Sequence, residues 1–88
     1  MYKIFLDENL FDYLIKNLED KKIKNIILDN KNKEDEKVYF EIDVDTKLDL
    51  MEYVEDLQLE IGFDNEDYLN EDGKKLQIII DELYNQTN

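Results

Sequence analysis

The sequence has no cysteine, histidine, serine, arginine, alanine, tryptophan or proline, and only two glycines. Each absence removes a class of function. Without cysteine there is no disulfide framework and no thiol chemistry, so nothing points to an oxidising compartment. Without cysteine or histidine, a zinc site of the usual kind cannot be built. Ser-His-Asp and Cys-His arrangements are excluded, and the only hydroxyls besides tyrosine are those of Thr46 and Thr87. Gly62 and Gly73 alone cannot form a Gly-rich phosphate cradle. No apolar run approaches the ~20 residues of a membrane span. The opening MYKIFLDENL lacks the pattern of a secretory signal. All eleven basic residues are lysine, while asparagine and isoleucine are abundant. That usage fits an AT-rich bacterial or phage genome, and the expected location is the cytoplasm of a bacterial host cell.

What remains is a short chain, rich in aliphatic and aromatic residues and strongly negative. Its 88 residues are 42% hydrophobic, too many for a disordered acidic tail. The size supports one domain with one core, over residues 1–88. Tyr2, Ile4 and Leu6 alternate with Lys3 and Phe5, which predicts a strand. Asp7 is placed as an N-cap, with Leu6 and Phe11 at staple spacing. Leu10, Phe11, Leu14, Ile15 and Leu18 then predict a helix over residues 8–19. Ile23, Ile26, Ile27 and Leu28 are mostly β-branched and read as a buried strand. A polar loop from Asp29 to Glu36 follows. Val38, Phe40, Ile42 and Val44 alternate with Tyr39, Glu41, Asp43 and Asp45, the pattern of a half-exposed antiparallel strand.

The second half reads as helical. Thr46 and Asp49 resemble a capping box before a helix over residues 47–61, with Gly62 as its left-handed end. Phe63 to Asp72 reads as a loop with at most one turn of helix. Leu76, Ile79, Ile80 and Leu83 predict a helix over residues 71–85, with a short strand at Gln77 to Ile80 as the alternative, because three β-branched residues in a row weaken a helix. The expected fold class is α+β, of order β-α-β-β-α-α, with an antiparallel sheet packed against helices.

The charge is unevenly distributed. There are 24 acidic and 11 basic residues, for a net charge of −13. Residues 1–44 hold 8 lysines and 11 acids, a net −3, and residues 45–88 hold 3 lysines and 13 acids, a net −10. No basic residue lies between Lys47 and Lys74. On the predicted helix, Asp49, Asp56 and Glu60 fall in a narrow stripe with Glu52 at its edge. Glu52–Asp56 and Asp56–Glu60 are like-charge i,i+4 pairs, each costing a helix a few tenths of a kcal/mol. A small soluble domain needs a net charge of only about 2–8 in magnitude. Ordinarily a charge run merely solvates a face. Here the excess and its concentration favour an electrostatic partner surface, because regular negative charge on a rigid helix can imitate a nucleic-acid backbone. Asp64, Glu66 and Asp67 extend the stripe. Tyr53 and Tyr68 are candidate anchors beside it, whereas Tyr39 reads as an edge of the core.

Other chemistries fit less well. Carboxylate pairs arise by chance in so acidic a chain, so catalysis is not expected. The segment from Asp64 to Gly73 departs from an EF-hand loop, with leucine where that loop needs glycine. No cofactor and no metal are expected, and direct binding of nucleic acid is opposed by the sign of the charge. Two partner-binding functions remain. The first is an inhibitor that blocks the nucleic-acid-binding groove of a defence nuclease or CRISPR effector. In general character the chain looks like phage anti-CRISPR and anti-restriction proteins: short, acidic, cysteine-free and α+β. The second is an immunity protein neutralising a basic nuclease toxin; in size and acidity the chain is similar to barstar-like proteins. No shared motif carries either likeness. A non-catalytic adaptor is the third reading.

Overall fold

The computed structural model describes residues 1–65 and 68–87. The expected α+β order is present, with a helix and a two-stranded ribbon inserted into it. The elements run β1 (Tyr2–Asp7), α1 (Glu8–Asn17), α2 (Lys21–Asn30), β2 (Asn32–Glu34), β3 (Lys37–Ile42), α3 (Val44–Ile61), β4 (Phe63–Asn65), β5 (Tyr68–Leu69) and α4 (Glu71–Thr87). The main sheet has order β1-β3-β2 and is antiparallel throughout. Its register sets Ile4 opposite Phe40 and Leu6 opposite Val38. One face of the sheet is therefore apolar and buried against the helices. The other face carries Phe5 against Tyr39, their ring centroids 5.2 Å apart, with the Lys3 ammonium 4.2 Å from the Tyr39 centroid.

Several local expectations are corrected. Residues 23–28 are not a strand but the middle of α2. Asp20 caps that helix, accepting from the Lys22 and Ile23 amides at 3.0 and 3.2 Å. Ile23 and Ile27, one turn apart, point into the core. The strand that pairs with β3 comes instead from the polar segment, where Asp35 turns the chain at a left-handed φ of 57°. Asp is among the few residues that adopt this conformation routinely. Asp7 stands at the N-cap of α1 but makes no side-chain cap bond; α1 ends at Asn17 rather than at residue 19.

Helix α3 starts three residues earlier than its spacing predicts. The Asp43 carboxylate accepts from the Thr46 amide at 2.8 Å and is the cap. These bonds from Thr46 hold the Asp43 carboxyl below the usual carboxylate range. Thr46 itself lies inside the first turn, and β3 stops at Ile42. Residues 77–80 are helical, and Leu76, Ile79, Ile80 and Leu83 of α4 are buried as its spacing requires.

Gly62 is not left-handed; its φ is −88°. The reason for glycine there is space. A Cβ on Gly62 would stand 3.0 Å from Gly73 Cα, and one on Gly73 would collide with the Gly62 carbonyl oxygen. The end of α3 and the start of α4 thus meet backbone to backbone. Asn70 joins them: its Nδ2 donates to the Ile61 carbonyl at 2.8 Å, and its Oδ1 accepts from the Gly73 amide at 2.8 Å. One side chain satisfies an orphan acceptor of one helix and an orphan donor of the next.

Carboxamides cover the outer edge of β1 and the end of β3 that β2 leaves unpaired. Phe5 N–H donates to Gln86 Oε1 at 2.6 Å, and Gln86 Nε2 donates back to the Phe5 carbonyl at 2.8 Å. Asn30 makes the same two-point contact with Glu41, at 2.7 and 3.0 Å. Each amide stands in for a missing strand, so these edge groups are not left to pair with another chain.

Candidate acidic interface

Helix α3 is held by Leu50, Met51 and Val54, which are buried, and by Tyr53. The Tyr53 hydroxyl donates to the Asn17 carbonyl at 2.7 Å and accepts from the Glu19 amide at 2.9 Å. It fastens the corner between α1 and α2 to the middle of α3. Asp49, Glu52, Asp56 and Glu60 all lie on the exposed side of the helix. Among the described residues the ion pairs are Lys33–Glu8 and Lys74–Glu71, so none of these four is neutralised by a lysine of the other half.

The fastened corner adds charge that the spacing along α3 could not reveal. Asp20, Asp49, Glu52, Tyr53 and Asp56, with Ile23, line one shallow hollow of about 360 Å3. Glu19, Tyr53, Asp56 and Glu60, with Asn17, Leu57 and Ile61, line a second of about 390 Å3. The two hollows share Tyr53 and Asp56. Six carboxylates therefore surround one tyrosine, and no lysine lines either hollow. Glu19 and Asp20 were missed because they lie far from α3 in the chain, and the contact depends on the Tyr53 hydroxyl. Asp45 was missed because the start of α3 was placed too late; it is an exposed residue of the first turn. A larger hollow of about 590 Å3 lies against the β2–β3 turn, where Glu34, Asp35 and Glu36 meet Lys37. It mixes both charge signs, so it does not compete as the interface.

The remaining candidates separate. Asp64 and Tyr68 lie beyond the end of α3, on the β4–β5 ribbon, and line neither hollow. Both are exposed, Tyr68 at 71%. Phe63 on the same ribbon is 38% exposed. Glu66 and Asp67 lie outside the described residues. Among the described residues, no three metal-ligating side chains converge on a point where an ion could sit, and no helix is long and apolar enough to cross a membrane. A second tyrosine is taken up by the fold. Tyr13 of α1 donates to Asp72 Oδ1 at 2.8 Å, and partial burial together with that carboxylate pushes its phenol well above the usual range.

The role of Tyr53 is open to measurement. Tyr53→Phe keeps the ring and deletes both hydroxyl contacts. It is expected to cost about 1–2 kcal/mol, the net value of one partly buried and one exposed hydrogen bond. The loss should appear in urea unfolding followed by circular dichroism. Amides of residues 17–20 should exchange faster with solvent, because the corner loses its fastening to α3.

Comparison with protein-family models, with curated proteins and with solved structures found no match to this chain.

Proposed function

We propose that the protein is an inhibitor that occupies the nucleic-acid-binding groove of a basic nuclease, of the anti-CRISPR or anti-restriction kind. It would act in the bacterial cytoplasm by occupancy alone, without catalysis, cofactor or metal. The observation that supports this is the single surface around Tyr53, where Glu19, Asp20, Asp49, Glu52, Asp56 and Glu60 stand without a lysine in the lining. Along α3 the stripe advances about 6 Å per helical turn between Asp56 and Glu60. A groove built to bind phosphates is lined with lysines and arginines. Such a groove would attract this face from a distance, and the rate of association would fall as salt rises.

Mimicry has a stricter signature than acidity. The immobilised protein is exposed to host lysate, and bound proteins are eluted with a short DNA duplex or an RNA–DNA heteroduplex at constant ionic strength. Release of a nucleic-acid-binding protein by the duplex, but not by an equal concentration of inorganic phosphate, is the expected result. Retained proteins that the duplex cannot displace, or that bind no nucleic acid, would overturn the reading.

A further inference from the structure

The outward side of α3 carries more than charge. At about 100° per residue, Val44, Glu55, Leu48 and Leu59 fall within ~60° of the helix circumference. Asp45, Glu52, Asp49, Asp56 and Glu60 fill roughly the next 80°. Val44 is 51% exposed, Leu48 55% and Leu59 73%. The fold uses the adjoining arc, where Leu50, Met51 and Val54 are buried, Met51 only about 20° from Val44. The apolar arc of α3 is thus wider than the rest of the fold covers, and this lane is its uncovered edge. A single exposed leucine is ordinary. Three aliphatic residues in one lane, bordered lengthwise by five carboxylates and interrupted only by Glu55, form the pattern of a helix that takes a second layer. Leu48 and Leu59 stand roughly 16 Å apart along the axis, about three turns.

We infer that this face docks a basic amphipathic helix of the partner protein. Its aliphatic side chains would pack along Val44, Leu48 and Leu59, and its lysines or arginines would meet the neighbouring acidic lane. This rests on the inhibitor reading above and names the element by which the nuclease is held. Charge complementarity selects the occupant. An antiparallel second copy of α3 would set two acidic lanes side by side, and a net charge of −13 on each copy opposes close approach in any orientation. An anionic lipid surface is repelled by the same carboxylates. A helix with lysines beside its apolar stripe satisfies both lanes at once.

The test uses three synthetic probes against the full chain, read by fluorescence anisotropy. The first is a leucine–lysine peptide patterned as an amphipathic helix, with the 18-residue length of α3. The second has the same composition in shuffled order, and the third is oligolysine. The amphipathic peptide is expected to bind at least about tenfold tighter than the shuffled one, because only it buries the two leucines in register. It should also keep most of its affinity at high salt, where exposed charge pairs are screened. Leu48→Gln with Leu59→Gln should reduce that affinity by about tenfold or more and leave oligolysine binding unchanged. Ile78→Gln, at a residue of α4 that is 47% exposed, should change neither. Circular dichroism and thermal melts establish that both variants are folded.

Equal binding of patterned and shuffled peptides would overturn the inference, as would indifference to the double glutamine variant. If oligolysine still binds and Asp56→Lys with Glu60→Lys abolishes that binding, the charge-based reading survives alone. Failure of all three peptides to bind would remove both. Sedimentation showing a dimer that the double glutamine variant dissolves would make a second copy the occupant and overturn the inference.

Discussion

Gly73→Val is expected to destabilise the protein by about 3 kcal/mol, at the upper end for an overpacked site. In a domain of this size that corresponds to a fall in Tm of roughly 12–24 °C. A Cβ at this position would collide with the Gly62 carbonyl oxygen, and would lie 2.8 Å from Leu69 Cδ2 and 2.9 Å from the Gly62 carbonyl carbon. Two of these three atoms are backbone, so no rotamer change relieves the overlap. Replacing a helical glycine recovers at most ~1 kcal/mol of propensity, less for a β-branched residue, and the clash outweighs it. The helices must separate, which also strains the two Asn70 bonds and the 3.0 Å bond from Gln58 Nε2 to the Gly73 carbonyl. Gly73→Ala should shift stability in the same direction by less. Thermal and urea melts decide the matter; a Gly73→Val protein melting within about 4 °C of the parent would mean that the helices do not approach this closely.

This joint illustrates where the sequence could and could not be read. Helices α1 and α4 and strands β1 and β3 are legible because each carries one period over most of its length. Leu76, Ile79, Ile80 and Leu83 recur at helical spacing and are buried. Tyr2 to Leu6 and Val38 to Ile42 alternate and pair across the sheet. Helix α2 was misread because β-branching at Ile23, Ile26 and Ile27 outweighed their i,i+3,i+4 spacing and the capping position of Asp20. The start of α3 was misplaced because Val44 continues the alternation of β3, although Asp43 three residues before Thr46 is an equally good cap signal. Gly62 was assigned a conformational role when its role is steric, and nothing local to residue 62 announces Gly73 as its neighbour.

The same division runs through the candidate interface. The stripe of Asp49, Glu52, Asp56 and Glu60 follows from helical period alone, so its exposure on one side of α3 was legible. The contributions of Glu19 and Asp20 are tertiary. They reach the stripe only because α1 and α2 turn a corner that the Tyr53 hydroxyl fastens to α3. Tyr53 was read as an anchor for a partner. Its hydroxyl is engaged inside the fold, and what it offers at the centre of the acidic hollows is the flank of its ring. Val44 continues the alternation of β3, and Leu48 and Leu59 fall outside the helix face of Leu50, Met51, Val54, Leu57 and Ile61, so periodicity alone assigns the three no common lane.

The charge reversal Asp56→Lys with Glu60→Lys probes the interface most directly. Asp56 lines both hollows and Glu60 one of them. The net charge changes by four, from −13 to −9, and the change falls at the centre of the surface. Two effects on the helix favour the variant: the like-charge pair of Glu52 with position 56 becomes an opposite-charge pair, and lysine is a good helix former, while positions 56 and 60 stay like-charged as before. Neither residue takes part in an ion pair among the described residues, so no compensating partner is stranded. The melting temperature should therefore be equal to or slightly above that of the parent. Binding should respond in the opposite sense. Each lysine would now face the cations that the carboxylates attracted, and like-charge juxtaposition across an interface costs several kcal/mol, which corresponds to a loss of at least about a hundredfold. Because steering is lost as well as contact, the association rate should fall and its dependence on salt should flatten. A control reversal at Asp81, exposed on α4 and absent from both hollows, alters net charge without touching the surface. If the control and the double variant, compared per unit charge, weaken binding equally, the partner senses only the net charge of the molecule. If the double variant alone collapses the association rate while both proteins melt like the parent, the partner reads the arrangement of carboxylates around Tyr53.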